Sequence, residues 1–345
     1  MAGLVKTQQD FFNNSEILNR SMAVFQSSTT WSPANKVLAD VYVVGGGGSG
    51  GISRVTGTST NRAVASGGAA GSVGASRLVL EPGTVYTITV GAGGLGSNNN
   101  AAGVAGGASE FSGSGITTIN APGGNGGNFD GGSSNILYTA AGATGGGVST
   151  GGNLFNANGS SSGDATADGT GGFDNIAAAS GGTAPSIFTG DTSLTSGTAA
   201  AESATDSLAA SAGSSPTAPS DNVTANAASI GGSAVSGPGG TIALSNDAFT
   251  ILGQYLVHGS GGGTGVSGGS SQNNVGFNSD PFILASGGQT RINNSSSSTR
   301  WGLPGKMGAG GGGFVIVGTT SGTFTHPNGG NGFVAIIPIK LLEEV

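Results

Sequence analysis

Residues 37–51 read VLADVYVVGGGGSGG, a strand-like run that passes directly into a run of glycine. The branched and aromatic side chains from Val37 to Val44 favour an extended strand. The glycines that follow leave bare backbone where side chains would otherwise pack. This abrupt change predicts a fold in which main chains lie directly against one another.

Glycine is the dominant residue of the whole chain, with 72 glycines among 345 residues, whereas charged residues make up only 8%. Ordering a glycine in regular structure costs about 0.5–1 kcal/mol more than ordering an alanine. Such segments either stay disordered, or they bring backbones closer together than a Cβ atom would allow. We favour the second interpretation. Because there is no cysteine, stability must come from packing and backbone hydrogen bonds.

Strand patterns flank the glycine runs at both ends of the chain. Val85 to Val90 alternates apolar and polar residues, as expected for a sheet with one buried face, and follows a turn at residues 81–83. Near the other end, Phe314 to Val317 and Phe333 to Ile337 supply matching strands. We therefore expect a mainly β fold, in which N- and C-terminal strands close a single β-sandwich.

The middle of the chain, roughly 91–313, is built of Gly, Ala, Ser, Thr and Asn without one repeat length. Strict glycine triplets are absent, which argues against collagen. A bundle of short polyproline II-type helices accounts for the composition, because such a helix directs its N–H and C=O groups outward. Where glycine lines the contacts, neighbouring helices can bond to one another and satisfy these groups.

The chain divides into four stretches by composition. We expect an N-terminal arm or attachment segment, the first part of a glycine-rich β domain, a Gly/Ala/Ser/Thr-rich insertion that forms the distal surface, and C-terminal strands that close the β domain. These stretches are residues 1–22, 23–120, 121–300 and 301–345.

Charge excludes two classes of partner. No lysine or arginine lies between Arg77 and Arg291, whereas twelve acidic residues lie from Glu81 to Asp280. Binding of nucleic acid or of an anionic membrane needs a basic surface. The chain also lacks an apolar run long enough for a membrane span, and its first residues do not resemble a secretion signal. We expect a soluble protein released without export.

Glycine spacing imitates one cofactor motif. Gly46, Gly48 and Gly51 match G-x-G-x-x-G after a strand. A dinucleotide site would also need a following helix and an acidic residue about twenty positions later, and the sequence predicts neither. Residues 305–307 likewise lack the hydroxyl residue of a phosphate-binding loop. We expect no cofactor.

Catalytic and metal-binding patterns are equally weak. His258 and His326 have no clustered partners that would complete a metal site. Residues 123–130 resemble a calcium-binding repeat only once, without its period. Two acid pairs have helical spacing but lack the bulky neighbours that would tune a carboxylate, namely Asp164 with Asp168 and Glu202 with Asp206. We predict that the chain is not an enzyme.

Single aromatic residues in the middle of the chain are the candidates for receptor contact. They sit near glycine or asparagine, where turns are expected, and are Phe129, Tyr138, Phe155, Phe173 and Phe188. Exposed aromatic rings on loops can bind a partner. The alternative is that these rings plug the ends of the bundle or pack on the sandwich.

Several blocks resemble the glycine-rich domain of phage tail fibres and related tail proteins. They are residues 37–51, the GGAAG of 67–71 and the LVLEPGTVYTITVGAGG of 78–94, with residues 25–31, 310–317 and 329–337 similar to the first and last strands of that domain. The block at 78–94 is the most specific. By composition, the chain also resembles the tail-tip adhesins of T-even-type phages, whose polyglycine helices form a sandwich.

The resemblance implies a virion protein at the distal end of a fibre, assembled in the host cytoplasm and exposed to the medium. Its partners would be other virion proteins of the shaft, tail or capsid, and a host receptor of protein or glycan. The alternative is a capsid-surface head fibre or decoration protein with a purely structural role. Either a homotrimer or a monomer on a trimeric shaft is compatible with the resemblance.

Overall fold

A computed structural model gives the fold of this chain. It describes residues 23–55, 62–97, 100–132, 138–167, 175–178, 181–182, 229–230, 264–267, 273–275, 291–293, 299–301, 304–305, 307–317, 323–325 and 327–342. Within these residues the chain forms strands and extended segments, with no α-helix. The mainly β class predicted from the sequence is therefore confirmed.

The strands are short, and most contain three or four residues. In chain order they are β1 Ala23–Phe25, β2 Thr29–Trp31, β3 Val37–Val44, β4 Ile52–Val55, β5 Arg62–Ala65, β6 Val73–Leu80, β7 Tyr86–Thr89, β8 Ser109–Ser112, β9 Ile119–Ala121, β10 Phe129–Gly132, β11 Tyr138–Ala140, β12 Phe155–Ala157, β13 Ala165–Ala167, β14 Asn175–Ala178, β15 Ser229–Ile230, β16 Thr264–Ser267, β17 Asn273–Val275, β18 Arg291–Asn293, β19 Thr299–Trp301, β20 Phe314–Val317, β21 Thr323–Thr325 and β22 Phe333–Leu341.

Two antiparallel sheets form a sandwich from strands at both ends of the chain. One sheet has the order β1-β22-β3-β6-β12 and the other β2-β7-β8-β9. The C-terminal strand β22 lies between β1 and β3, which confirms the prediction that strands from the two ends of the chain share one sheet. Alternate residues of β3, such as Val41 and Val43, pack with Ile88 and Phe111 of the second sheet in one buried cluster.

The turn between β6 and β7 has the conformation that its sequence predicts. Gly83 has a φ of +74°, and the N–H of Thr84 bonds to the carbonyl of Glu81 at 3.3 Å. Proline at the second position and glycine with positive φ at the third are typical of a type II turn. This turn sets the start of β7, whose Tyr86 is buried between the sheets.

Beyond β3, segment 45–51 sends its N–H groups in three directions in turn. Residues 45, 48 and 51 donate to segment 66–72, residues 46 and 49 to segment 101–107, and residues 47 and 50 to segment 327–332. A period of three residues is that of a polyproline II helix, which has no internal hydrogen bonds. The donor pattern therefore supports the polyglycine geometry predicted for this chain.

Segment 45–51 is enclosed by six neighbours. In order around it they are 66–72, 122–128, 101–107, 91–96, 327–332 and 308–314, alternately accepting from it and donating to it. Adjacent members of this ring also bond to each other, as Gly106 does to Gly124 and Gly68 to Gly311. Segment 66–72 is the centre of a second ring, completed by 142–150, 158–162 and 181–182. We call these ten segments the glycine lattice.

Close approach explains why the lattice needs glycine. A Cβ on Gly48 would lie 2.0 Å from the carbonyl oxygen of Asn125, and one on Gly47 would lie 2.0 Å from that of Ala309. Real Cβ atoms essentially never approach another atom so closely, so glycine is the residue that fits these positions. The backbone groups bond to one another, which removes the penalty for burying them.

The lattice extends beyond the stretch 91–313 in which the sequence placed it. Its two enclosed segments, 45–51 and 66–72, lie nearer the N-terminus, and both are buried throughout. Segment 327–332 lies on the C-terminal side. The lattice is therefore continuous with the strands of the sandwich, because β3, β6 and β22 each join one of its segments directly.

One expectation about the C-terminal strands was wrong. Strand β20 does not join the sandwich but pairs in parallel with β4 and β18. The reason is that segments 45–51 and 308–314 run parallel through the lattice, so the strands that follow them emerge side by side. Further sheets lie among the remaining strands, with the orders β17-β18-β20-β4, β10-β5-β14-β16-β15, β11-β13 and β19-β21.

Candidate functional site

Three lattice segments, 101–107, 122–128 and 142–150, form an outer layer over the two enclosed segments. In segment 122–128 the exposed residues are Asn125 and Asn128, three positions apart. Exposed residues also recur three positions apart at 102, 105 and 108 and at 141, 144, 147 and 150, while residues 104, 107 and 148 are exposed as well. Because three residues complete one turn, every third side chain points outward, about 9.3 Å from the next.

The outward residues form one surface, which we call the outer face. It consists of Ala102, Ala105, Ala108, Asn125, Asn128, Ala141, Thr144, Gly147 and Thr150, none of which carries a charge. Hydrogen bonds place the three rows in register, because Gly103 donates to Gly127 and Asn125 donates to Thr144. The outer face is thus a regular arrangement of small, uncharged groups.

Asparagine side chains join two of the rows. The Nδ2 of Asn125 donates to Oγ1 of Thr144 at 2.7 Å, and the Nδ2 of Asn128 donates to the carbonyl of Ala141 at 2.8 Å. These bonds fill the surface between segments 122–128 and 142–150. Asparagine has the same role at another edge, where Asn328 and Asn331 accept from the N–H groups of Gly96 and Gly93.

Exposed apolar side chains border the outer face. Leu95 is 69% exposed and Val104 is 53% exposed. Both flank the hydroxyl of Ser49, which donates to the carbonyl of Leu95 and accepts from the N–H of Val104. Val148 is similarly exposed at the other side of the outer layer, at 57%.

The structure places three of the five aromatic candidates for receptor contact. Tyr138 is only 6% exposed and packs with Val64, Ala140 and Ala165. Phe155 is half-buried on the sandwich, where its ring lies 6.4 Å from that of Tyr42. These two placements favour packing rather than contact with a partner.

Phe129 is half-buried at the start of β10, opposite Ala65. The structure does not bring Phe129, Tyr138 and Phe155 together into one buried cluster. Phe173 and Phe188 lie outside the described residues. A receptor-contact role for the five residues stays a prediction.

The apparent dinucleotide motif belongs to the lattice. Gly46, Gly48 and Gly51 donate their N–H groups to the carbonyls of Gly107, Ala69 and Ser66. A phosphate-binding loop would keep such groups free for its ligand. Residues 123–130, which resemble a calcium repeat, likewise contribute a lattice segment and the start of β10.

The acidic and histidine candidates give no centre in the described part of the chain. The carboxylate of Asp164 accepts from the N–H of Gly142 at 2.6 Å. Four further residues lie outside the described ranges: Asp168, Glu202, Asp206 and His258. His326 also falls outside them. The described residues contain no group of three or more His, Cys, Asp or Glu that could hold a metal.

The shifted pKa values among the described residues belong to two side chains of the first sheet, Tyr42 and Arg77. Burial raises the pKa of Tyr42 to about 12, and the carboxylate of Asp40 adds to this shift. Asp40 accepts from Nε and Nη2 of Arg77 at 2.7 and 2.9 Å. This hydrogen bonding raises the pKa of Arg77 in turn. The Asp40–Arg77 ion pair thus links β3 with the neighbouring strand β6.

Sequence reasoning missed the outer face, although a signal for it exists. The signal is a non-glycine residue at every third position of a glycine-rich segment, as at Asn125 and Asn128. The signal is weak because the threefold pattern begins at a different position in each segment, and because few segments are long enough to repeat it more than three times. Only the hydrogen-bond register shows that the rows belong to one surface.

Comparison with known proteins identifies the domain. A family model described as a glycine-rich domain matches residues 24–241, more than half of the chain. No curated protein matches the chain. Among the described residues, no helix has the length and hydrophobicity needed to cross a membrane. Because the family model matches more than half of the chain, the chain belongs to the glycine-rich domain family.

Proposed function

We propose that this member of the glycine-rich domain family is a bacteriophage tail fibre or tail-tip adhesin. In this role it presents an uncharged surface to a receptor, a protein or a glycan, on the host cell. The observation that carries the proposal is the outer face, whose side chains are held in register by hydrogen-bonded backbone. Localisation in the virion and attachment to other virion proteins are parts of the same proposal.

The chemistry of the outer face suits recognition of a polar, uncharged partner. Asn125, Asn128 and Thr144 offer amide and hydroxyl groups, and alanine methyl groups lie beside them. Desolvating such a surface costs less free energy than desolvating a charged one. Because the lattice fixes the backbone beneath it, binding would order little of the protein, which reduces the entropic cost of binding.

An antibody against the chain provides the first test. Particles released by lysis are labelled with the antibody and imaged, and adsorption to the host is measured with and without it. We expect labelling at fibre ends and inhibition of adsorption. Absence of the chain from purified particles would refute the proposal.

A pair of substitutions then tests the outer face. Ala141→Arg places a long charged side chain on the outer face, and Thr87→Arg places the same side chain on an exposed position of β7. Adsorption should fall roughly tenfold or more for Ala141→Arg, as for loss of a binding hot spot. The Thr87→Arg control should adsorb like the wild type.

A head fibre or capsid decoration protein with a purely structural role is the second candidate. The burial of Tyr138 and the packing of Phe155 favour it, because neither ring is presented to a partner. In that case the antibody would label the capsid without inhibiting adsorption. Neither arginine variant would then change the rate of adsorption.

A further inference from the structure

Asparagine is followed directly by glycine at four places in the sequence. The pairs begin at Asn125, Asn158, Asn328 and Asn331, and all four lie within the described residues. In such a pair the amide nitrogen of the glycine can attack the side-chain carbonyl carbon of the asparagine, because glycine has no side chain to hinder the approach. The four pairs have the same local sequence chemistry, but the lattice places them in different surroundings.

Hydrogen bonds hold the glycine nitrogen in three of the four pairs. Each of these N–H groups donates to a backbone carbonyl of a neighbouring lattice segment at 2.8 or 2.9 Å, and the glycines are Gly159, Gly329 and Gly332. All three residues are buried. Attack by any of these nitrogens would first require its hydrogen bond to break.

Gly126 differs from the other three glycines. Among the described residues its N–H has no protein partner, and the residue is partly exposed. The peptide group between Asn125 and Gly126 is held through its oxygen, which accepts from the N–H of Ala69 at 2.9 Å. In the pairs that begin at Asn328 and Asn331, the peptide group is bonded through both its oxygen and its nitrogen. Local opening of the backbone therefore breaks fewer hydrogen bonds at Gly126.

The side chain of Asn125 is also exposed to reaction. It lies on the outer face, and its Nδ2 donates to Oγ1 of Thr144 at 2.7 Å on the protein surface. By contrast, the Oδ1 atoms of Asn328 and Asn331 each accept from a lattice N–H. Turning either of those side chains would leave a backbone donor without its partner, which costs free energy.

We propose that Asn125 is a site of deamidation through a succinimide formed with Gly126. The nitrogen of Gly126 gives up its proton to the solvent and bonds to Cγ of Asn125. The bond between Cγ and Nδ2 breaks, and the side-chain nitrogen takes a proton from water and leaves as ammonia. Water then opens the ring at either carbonyl, which gives aspartate or isoaspartate. The net reaction consumes one water and releases one ammonia, without oxidation or reduction.

This modification would change the charge of the outer face. The new carboxylate at residue 125 would lie on a surface whose side chains are all uncharged, and a charge introduced in this way acts on binding as any other charge does. The isoaspartate product would also lengthen the backbone of segment 122–128 by one methylene group. The reaction itself does not depend on the receptor-binding role, although an effect on adsorption would.

The test follows all four pairs in the full-length chain at mildly alkaline pH, which favours loss of the glycine N–H proton. Samples taken over time are digested at acidic pH, and mass spectrometry measures the conversion of amide to acid in each peptide. Asn125 should convert about tenfold faster or more than the other three asparagines, as expected where one hydrogen bond fewer has to break. In concentrated urea the four rates should become similar, because the lattice is lost.

Two glutamine substitutions identify the reacting residue. Asn125→Gln should abolish the first acidic species seen by isoelectric focusing, because glutamine would have to close a larger ring, which forms more slowly. Asn128→Gln is the matched control on the same face, and it should keep that species because Asn128 precedes Phe129.

Four results would overturn the proposal. They are equal rates at the four pairs of the folded protein, earlier conversion at a pair other than the one at Asn125, conversion of Asn125 in urea alone, and an unchanged first acidic species in Asn125→Gln.

Discussion

At the scale of single residues, Gly48 shows why the lattice needs glycine. A Cβ added to Gly48 would meet only backbone atoms, and the nearest, the carbonyl oxygen of Asn125, would be 2.0 Å away. Backbone held by hydrogen bonds on both sides cannot move away as a flexible side chain could. The lattice thus depends on the absence of a Cβ more than on any side-chain contact.

Gly48→Ala should therefore lower the free energy of unfolding by more than about 2 kcal/mol, as overpacking of a filled interior does. Gly147→Ala is the matched control, because a Cβ on this exposed glycine meets nothing within 4 Å. That control should be neutral or stabilising by about 0.4–1 kcal/mol. Urea denaturation of the two variants and the wild type measures both effects, and equal losses of stability would contradict the account.

Tyr42 gives a prediction for high pH. Its pKa is raised to about 12 from 10.0, so the folded state keeps the phenol proton where the unfolded state loses it. The unfolded state then binds fewer protons, and stability falls as pH rises from about 10 to about 12.

Tyr42→Phe should remove this part of the pH dependence. Two pKa units correspond to an upper limit of about 2.7 kcal/mol. Denaturant unfolding of both proteins at a series of pH values between about 9 and 12 provides the measurement, because the slope of stability against pH reports the difference in bound protons. If the wild type and Tyr42→Phe lost stability in parallel over this range, the burial of the phenol would not be responsible.

At the scale of elements, segment 122–128 shows most clearly that two of every three lattice positions exclude a Cβ atom. A Cβ added at residue 123, 124 or 126 would lie 2.0 to 2.1 Å from a carbonyl oxygen, and one added at residue 127 would lie 2.3 Å from such an oxygen. Asn125 and Asn128 point outward and already carry side chains. One position in three therefore tolerates a Cβ.

Alanine substitution along this segment should reproduce that period. We expect large losses of stability at the four glycines and small ones at Asn125 and Asn128, about 0.5–1.5 kcal/mol for the lost side-chain hydrogen bond. Midpoints of urea denaturation measure the series. A smooth profile, or one with a period of two residues as in a strand, would refute the threefold arrangement.

The same elements show what sequence reasoning could reach. Val37 to Val44 and Phe333 to Ile337 were recognisable as strands, and strands from the two ends of the chain were expected to share one sheet, as β3 and β22 do. The turn at Glu81 to Thr84 was also recognisable, because proline and glycine occupy its central positions. By contrast, the pairing of β20 with β4 was not predictable from their side chains, since it is set by the parallel course of segments 45–51 and 308–314 through the lattice.

At the scale of the whole molecule, the lattice connects the sandwich with the sheets beyond it. The sequence predicted that glycine-rich backbones would bond to one another, and the hydrogen bonds around segments 45–51 and 66–72 support this. It could not predict which segments become neighbours. Glycine runs carry no side chains that distinguish one partner from another, so segments 101–107 and 122–128 look interchangeable in the sequence.

The candidate surface shows the same limit. Aromatic residues attracted attention because they are rare in this chain, yet Tyr138 is buried. The outer face, built from Ala, Asn and Thr, has an ordinary composition and becomes recognisable only once three segments are placed in register. The proposed recognition role would therefore depend on the arrangement of common groups.

Amide hydrogen exchange of the intact protein tests the central claim most directly, namely that buried backbone forms an ordered lattice. Every N–H of segment 45–51 bonds to a carbonyl, so these amides should exchange only on global unfolding. Gly123 and Gly126 are partly exposed, and their N–H groups have no protein partner among the described residues, so they should exchange much faster. Exchange of segment 45–51 at the rate of a free peptide would contradict the account.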